Sequence, residues 1–136
     1  MIKGQGLDKP VSFFYLEDTQ SYVEQMQKDL TALGLVSAFD TVKSVPAAIE
    51  AVSKNTYDFI LSDFYLPDGT GLDFLTEVRK MAKYRETPFL VATTEDDVGN
   101  MISCIEAGAN DYLVKPWEIE ELKEKINLCW STYHGK

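Results

Sequence analysis

Four short apolar runs in this sequence are each followed directly by polar side chains that could bind a cation or take part in catalysis. Glu17 and Asp18 follow one run, Asp63 follows another, and Thr93 and Lys115 follow the last two. Crowded carboxylates repel one another unless a cation lies among them. An all-oxygen site with room for water suits a hard ion, and Mg²⁺ is the ordinary cellular choice.

The same residues could support phosphoryl transfer to a carboxylate. Asp63 could attack a phosphoryl donor as a nucleophile and form an aspartyl-phosphate. The incoming charge must be neutralised, which a metal ion and the Lys115 ammonium group would do. The Thr93 hydroxyl would donate a hydrogen bond to a phosphoryl oxygen. The sequence therefore contains every part that this reaction needs, provided that the fold brings them together.

Alternating strand and helix patterns are expected to position these residues. The apolar runs predicted to be strands are Val11–Leu16, Leu35–Phe39, Tyr57–Asp63, Phe89–Ala92 and Asp111–Val114. Between them, apolar residues recur at the 3- and 4-residue spacing of one helix face. The predicted helices run from a Thr19 cap to Gly34, from Val45 to Ser53 with Ser44 as cap, from Leu72 to about Lys83, through Met101 and Ile105 to Gly108, and from Ile119 to Tyr133.

Strands that alternate with helices predict an α/β fold, in which helices cover both faces of a parallel sheet through right-handed crossovers. Five strands favour a flavodoxin-like (βα)5 three-layer sandwich with a parallel five-stranded sheet of order 2-1-3-4-5. In that order, the carboxyl ends of the first, third, fourth and fifth strands face one crevice. The acidic residues, Thr93 and Lys115 are therefore expected to meet there.

Composition limits the organisation and the function of the chain. Its 136 residues fit one domain, which we place at 11–134 after a flexible N-terminal extension at 1–10. Acidic residues outnumber basic ones by 22 to 13, which argues against a nucleic-acid-binding surface. No apolar run is long enough for a membrane helix and no leader pattern begins the chain, so we expect a cytoplasmic protein. Cys104 and Cys129 lack metal-site spacing and are expected to be buried, reduced thiols.

Four motifs occur in order along the chain: Glu17-Asp18, Asp63-Phe64-Tyr65-Leu66-Pro67-Asp68-Gly69, Thr93, and the run from Glu106 to Pro116 that reads EAGANDYLVKP. With these motifs, residues 11–133 resemble the receiver domain of two-component response regulators, of the kind found in chemotaxis. Each motif alone is a weak signal, but the ordered set with this spacing is specific.

The resemblance implies a role for each matching residue. Asp63 is the expected phosphoacceptor, and Lys115 is the cation expected to pair with the phosphate. Glu17 and Asp18 form the expected Mg²⁺-binding pair, joined by Asp63 and by the backbone carbonyl of Tyr65. The resemblance also implies a cis peptide bond between Lys115 and Pro116.

Two further pairs concern switching and the lifetime of the phosphate. The resemblance implies that the Thr93 hydroxyl moves toward the phosphoryl group while the Tyr112 ring turns inward behind it, which changes the surface of the fourth helix, fifth strand and fifth helix. Tyr65, two positions beyond the acceptor, is expected to cover the path of the hydrolytic water, with Glu95 across the gap as a second modulator of phosphate lifetime.

Several residues depart from the usual pattern of the family. Glu17 stands where Asp is more common, which lengthens the reach toward a metal ion. Thr94 replaces a smaller residue, Trp117 replaces a Phe, and Tyr65 is bulkier than is common at its position. None of these changes removes a required group.

The resulting hypothesis is a signalling receiver rather than an enzyme. Its expected partners are a histidine kinase or histidine phosphotransfer protein and an unknown output protein or fused output domain, and a phosphorylation-dependent dimer stays open. One alternative is an aspartyl-phosphate phosphatase or phosphotransferase resembling haloacid dehalogenases. Those enzymes place the nucleophile after the first strand with a second Asp two residues on, where this chain has Tyr65. The other alternative, a non-phosphorylated pseudo-receiver that serves as a binding module, is disfavoured by the intact set of acids, Thr93 and Lys115.

Overall fold

Residues 6–94 and 98–134 are described by the computed structural model of the chain. The strands are β1 (Val11–Leu16), β2 (Val36–Val42), β3 (Phe59–Ser62), β4 (Tyr65–Leu66), β5 (Gly69–Thr70), β6 (Phe89–Thr93) and β7 (Asp111–Val114). The helices are α1 (Gln20–Ala32), α2 (Val45–Lys54), α3 (Gly71–Lys80), α4 (Val98–Ala107) and α5 (Ile119–His134), with a 3₁₀ turn at Ala82–Tyr84.

Five of the strands form one parallel sheet in the order β2-β1-β3-β6-β7. This is the predicted 2-1-3-4-5 order, because β6 and β7 are the fourth and fifth strands of the repeating βα pattern. The two remaining strands, β4 and β5, are a two-residue antiparallel hairpin in the loop that follows β3. The predicted flavodoxin-like fold is therefore confirmed.

Several element boundaries differ from the prediction. β2 continues to Val42 rather than ending at Phe39, and its extra residues pair with β1. This strand lies at the edge of the sheet, where polar residues such as Asp40 and Thr41 can face solvent, so the apolar pattern ended before the strand did. α3 ends at Lys80, and the 3₁₀ turn occupies the positions that the prediction added to it.

Glycine and serine set the ends of the first two helices. Gly34 has a φ of +76°, a conformation that L side chains rarely adopt, and it ends α1 as predicted. The Ser44 hydroxyl accepts a hydrogen bond from the Ala47 N–H at 3.3 Å, which confirms it as the cap of α2. Thr19 lies at the N-cap position of α1, but its side chain makes no capping hydrogen bond.

The sheet separates two buried apolar clusters. Along β1, side chains alternate between them: Phe13 and Tyr15 belong to one cluster, and Phe14 and Leu16 to the other. The first cluster is shared with α1 and α5, and the second with α2, α3 and α4. Cys129 lies in the first and Cys104 in the second, both as free thiols, as expected.

Arg79, near the end of α3, joins three segments through carbonyl oxygens. Its guanidinium donates to the Gly108 oxygen from two nitrogens, at 3.2 and 2.7 Å. A third nitrogen donates to the oxygens of Tyr84 at 2.6 Å and Thr87 at 2.7 Å. Because Gly108 directly follows α4, this cluster of hydrogen bonds ties the C-terminal end of α4 to α3.

The segment before β1 makes a specific contact with the domain. Leu7 is buried, and its N–H donates to the Asn127 side-chain oxygen on α5 at 2.9 Å. Mobility of residues 1–10 stays a prediction, and residues 1–5 lie outside the described residues. Within residues 6–94 and 98–134, no helix is both long and apolar enough to cross a lipid bilayer.

Candidate phosphoryl-acceptor site

Backbone hydrogen bonds between neighbouring strands continue past the strands themselves and fix the residues that follow them. The Glu17 N–H donates to the Val42 oxygen at 3.1 Å, and the Asp63 N–H to the Leu16 oxygen at 2.9 Å. The Lys115 N–H donates to the Thr93 oxygen at 2.9 Å. The carboxyl ends of the central strands are therefore held at one edge of the sheet.

Among the residues that the structure describes, three carboxylates meet at this edge. Glu17, Asp18 and Asp63 each offer an oxygen, and these oxygens all lie within 4.8 Å of one another. Glu17 and Asp63 are buried, whereas Asp18 is exposed. Convergent carboxylate oxygens with one side open to water are the donor set that Mg²⁺ prefers, so these residues fit that ion.

Lys115 lies between the carboxylates as a buried ammonium group. Its Nζ forms an ion pair with Glu17 Oε1 and lies 3.3 Å from Asp63 Oδ2. The same Nζ lies 4.2 Å from the centroid of the Tyr22 ring, whose face attracts a cation. The adjoining Lys115–Pro116 peptide bond is cis, which confirms the prediction.

Glu17 is held by donors at both oxygens. In addition to Lys115, Oε1 accepts a hydrogen bond from the Tyr15 hydroxyl at 3.0 Å, and Oε2 accepts one from the Thr19 N–H at 3.1 Å. Burial raises the pKa of Glu17, the hydrogen bond from Lys115 opposes that rise, and the Asp63 charge adds to it. Burial and the adjacent Glu17 raise the pKa of Tyr15, so its hydroxyl stays protonated as a donor.

Asp63 is oriented by its own loop. Its Oδ1 accepts a hydrogen bond from the Phe64 N–H at 2.7 Å, and its backbone oxygen accepts one from the Ser62 hydroxyl at 2.7 Å. Oδ2 points toward Lys115. The carboxylate is only slightly exposed, with the residue 8% accessible to solvent.

Gly71 is a site residue that the sequence reasoning missed. A Cβ atom at this position would lie 2.2 Å from the Asp63 backbone oxygen, far closer than real contacts allow. The Gly71 N–H also donates to the Phe64 oxygen at 2.6 Å. The sequence signal for this contact was the glycine directly after Thr70, the capping-box residue before α3. A side chain is normally tolerated at the start of a helix, so a glycine there indicates that another backbone segment lies close by.

Thr93 and Tyr112 lie on one face of the sheet. Val91 pairs with Tyr112 and Thr93 pairs with Val114, so Thr93 and Tyr112 are diagonal neighbours on adjacent strands. Both residues are buried, at 1% and 6% exposure. The inward turn of the Tyr112 ring on phosphorylation stays a prediction.

Of the two expected modulators of phosphate lifetime, Tyr65 and Glu95, the structure describes Tyr65. Tyr65 is 55% exposed, packs edge-on against Phe64, and lies with its hydroxyl 3.4 Å from the Asn100 amide nitrogen of α4. Its ring thus extends from the loop after β3 toward α4. Glu95 lies outside the described residues, so its predicted role stays a prediction.

The sequence model of the response regulator receiver domain family matches residues 13–127. The chain belongs to this family. The match covers the sheet from Phe13 onward and the helices up to Asn127 in α5, and it confirms the resemblance found in the sequence. The receiver domain is thus a domain of two-component systems, in which such domains act in signalling.

Individual relatives support the same family. The receiver domain is 26% identical over 117 residues to chemotaxis protein CheY1 of Helicobacter pylori. The aligned region covers 86% of this chain and 94% of that protein. It is 29% identical over 113 residues to CheY of Pseudomonas aeruginosa, covering 83% and 88% of the two chains.

Solved structures agree in fold. A response regulator from Chloroflexus aurantiacus superimposes with a TM-score of 0.82 at 28% identity, covering 90% of this chain and 99% of that one. The receiver domain of the sensor histidine kinase PA1611 from Pseudomonas aeruginosa gives a TM-score of 0.77 at 28% identity, with 90% and 98% covered. That structure has a magnesium ion coordinated in its active-site cleft.

Asp18→Asn is expected to raise the free energy of unfolding of the metal-free receiver domain. The substitution removes one of three charges whose oxygens lie within 4.8 Å. Because Asp18 is exposed and water screens its charge, the gain should be about 1 kcal/mol. The same change should remove most of the stabilisation that Mg²⁺ gives by binding the folded state. Thermal melting with and without Mg²⁺ measures both effects.

The matched control is Asp8→Asn, which removes another exposed aspartate from the opposite end of β1. This variant should respond to Mg²⁺ as the parent does. Equal stabilisation of Asp18→Asn and the parent by Mg²⁺ would show that the ion binds elsewhere.

Proposed function

We propose that this receiver domain accepts a phosphoryl group on Asp63 from a histidine kinase or histidine phosphotransfer protein, with Mg²⁺ bound at the acidic cluster. The observation that carries the proposal is the position of Asp63 Oδ2. It lies 3.3 Å from the Lys115 ammonium group and shares the cluster with Glu17 and Asp18. A nucleophile, a cation and a metal-binding pair thus surround one point at the edge of the sheet.

The proposed reaction transfers a phosphoryl group from a histidine nitrogen of the donor to a carboxylate oxygen of Asp63. An Asp63 carboxylate oxygen attacks phosphorus, the P–N bond of the phosphohistidine donor breaks, and the imidazole departs with the electron pair and takes up a proton. Lys115 holds a positive charge beside the forming acyl phosphate. Glu17, Asp18 and Asp63 would hold Mg²⁺ with the Tyr65 carbonyl, and the ion would neutralise charge on the phosphoryl oxygens.

A small-molecule donor tests the proposal without the partner kinase. Incubation with acetyl phosphate and Mg²⁺ should add one phosphoryl group, visible by intact-protein mass spectrometry, and chelation of Mg²⁺ should prevent it. The product should be labile to base and to hydroxylamine, as an acyl phosphate is. A protein that binds Mg²⁺ and yet gains no phosphoryl group under any donor concentration would contradict the proposed function.

The proposed output surface comprises α4, β7 and α5. Three β-branched side chains of α4 are exposed, namely Val98, Ile102 and Ile105. Their 4- and 3-residue spacing places them on one side of the helix. An exposed apolar stripe of this kind is typical of a surface that a partner covers, so we assign this face to an output protein or output domain.

Tyr65→Ala is expected to shorten the lifetime of the phosphorylated receiver domain. Hydrolysis requires water to approach phosphorus in line with the bond to Asp63, and the Tyr65 ring, which reaches toward Asn100, should narrow that approach. A several-fold faster decay requires only about 1 kcal/mol of barrier. The measurement is loss of phosphate over time at saturating Mg²⁺.

Tyr65→Phe is the matched control, because it keeps the ring and removes only the hydroxyl. It should decay at nearly the rate of the parent, and Mg²⁺ affinity should be unchanged in both variants because the proposed ligand is a backbone oxygen. Equal or slower decay of Tyr65→Ala would show that this ring does not restrict water.

A further inference from the structure

Tyr15 contacts the candidate site from beneath through its hydroxyl group. We propose that Tyr15 is a positioning residue, whose hydrogen bond orients the Glu17 carboxylate toward Lys115 and toward the bound Mg²⁺. The inference rests on the proposed function, since it concerns the metal site of that reaction. It adds a residue that none of the four sequence motifs contains.

The position of Tyr15 follows from the geometry of β1. Side chains two residues apart on a strand project from the same face, so Tyr15 lies directly behind Glu17. Both side chains are completely buried. A tyrosine hydroxyl buried among apolar side chains needs a hydrogen-bond partner, and Glu17 Oε1 at 3.0 Å is that partner.

The hydroxyl restrains a carboxylate that is otherwise free to turn. Glutamate has one more rotatable side-chain bond than aspartate, the more common residue at this position in the family. Glu17 therefore has an additional torsion angle that must be fixed before its oxygens can bind a cation. Three donors fix it: the Thr19 N–H on Oε2, and Lys115 together with the Tyr15 hydroxyl on Oε1. Of these, Lys115 must also serve the phosphoryl group, whereas the Tyr15 hydroxyl has no such second role.

The hydrogen bond from Tyr15 to Glu17 also fixes the position of the Lys115 ammonium group. Oε1 is shared between the Tyr15 hydroxyl and the ammonium group, so the hydrogen bond keeps this oxygen in place as an anchor for Lys115. The ammonium group then lies 3.3 Å from Asp63 Oδ2, beside the oxygen that would receive the phosphoryl group. A phenylalanine at position 15 would fill the same space without fixing the anchor.

Tyr15→Phe tests the inference through metal binding. Partners that orient a ligand from behind typically contribute about 10- to 100-fold to metal affinity, so we expect Mg²⁺ to bind about tenfold more weakly by isothermal titration calorimetry. Tyr84→Phe is the control. Tyr84 is equally buried, but its hydroxyl donates to the backbone oxygens of Val52 at 2.8 Å and Asn55 at 2.7 Å, away from the acidic cluster.

A double-mutant cycle separates positioning from general destabilisation. In a Glu17→Asp background, the shorter side chain no longer reaches the Tyr15 hydroxyl, so Tyr15→Phe should change the Mg²⁺ dissociation constant less than twofold. Circular dichroism verifies folding of each variant. A purely structural role would lower the melting temperatures of the Tyr15 and Tyr84 variants alike and leave their Mg²⁺ affinities equal.

The outcomes distinguish this inference from the function on which it rests. Mg²⁺ binding by the parent that Tyr15→Phe leaves within twofold overturns the role of Tyr15 and leaves the proposed function standing. A tenfold loss that persists in the Glu17→Asp background also overturns it, because the effect then does not act through Glu17. Absence of Mg²⁺ binding by the parent overturns both.

Discussion

Asp63→Asn is expected to abolish the phosphorylation of this receiver domain by acetyl phosphate and Mg²⁺. The substitution keeps the size of the side chain and replaces the nucleophilic oxygen with an amide, which does not attack phosphorus at a useful rate. The expected effect is complete loss of the added phosphoryl group by mass spectrometry. Melting temperature should not fall, because the change also removes one of the three crowded charges.

Asp68→Asn provides the control for this result. Asp68 lies in the same loop, but its Oδ1 accepts a hydrogen bond from the Val45 N–H at 3.1 Å and takes no part in the acidic cluster. This variant should still accept one phosphoryl group. Labelling of Asp63→Asn to the level of the parent would refute the assignment of the acceptor.

Thr93→Ala is expected to separate phosphorylation from its structural consequence. A phosphoryl group can shift an equilibrium between two conformations only through interactions that differ between them. The Thr93 hydroxyl is the proposed group, at the end of β6 and diagonal to Tyr112 on β7. The variant should still accept phosphate on Asp63. It should lose most of the phosphorylation-dependent change on the face of α4, β7 and α5.

Amide hydrogen exchange or NMR chemical shifts on that face measure the change, with and without phosphate. Thr93→Ser keeps the hydroxyl and should retain most of the response. If Thr93→Ala responds to phosphorylation as the parent does, the coupling between the acceptor and this face runs through other residues.

Periodicity and motif spacing predicted the fold because each element of the sheet is locally consistent. β1 and β7 have the predicted bounds, since each is a short apolar run between clear breaks. β2 was predicted too short because its last residues include the polar, solvent-exposed Asp40 and Thr41, so the apolar pattern ends before the strand does. The β4–β5 hairpin has no counterpart among the predicted strands, since two residues per strand are too few to show an alternating pattern.

The convergence of the acidic residues and Lys115 could be predicted because each follows a strand, and parallel strands end together. What could not be predicted is how each side chain is oriented. Tyr15 has the signature of an ordinary core residue in an apolar strand, and only the folded structure shows its hydroxyl on Glu17. Gly71 similarly looks like a loop glycine until the Asp63 oxygen is placed beside it. Both effects depend on contacts between atoms, which residue spacing does not encode.

The hydrogen bonds of Arg79 restrain the C-terminal end of α4. They tie the oxygen of Gly108, at one end of the helix, to α3, whereas Val98 at the other end is exposed. With 10 residues at about 1.5 Å each, α4 is about 15 Å long. A displacement of about 2 Å at the Val98 end, with the Gly108 end fixed, is a rotation of about 8°. If α4 rotates in this way on phosphorylation, a partner bound near Val98 would experience the largest displacement and one near Ile105 the smallest.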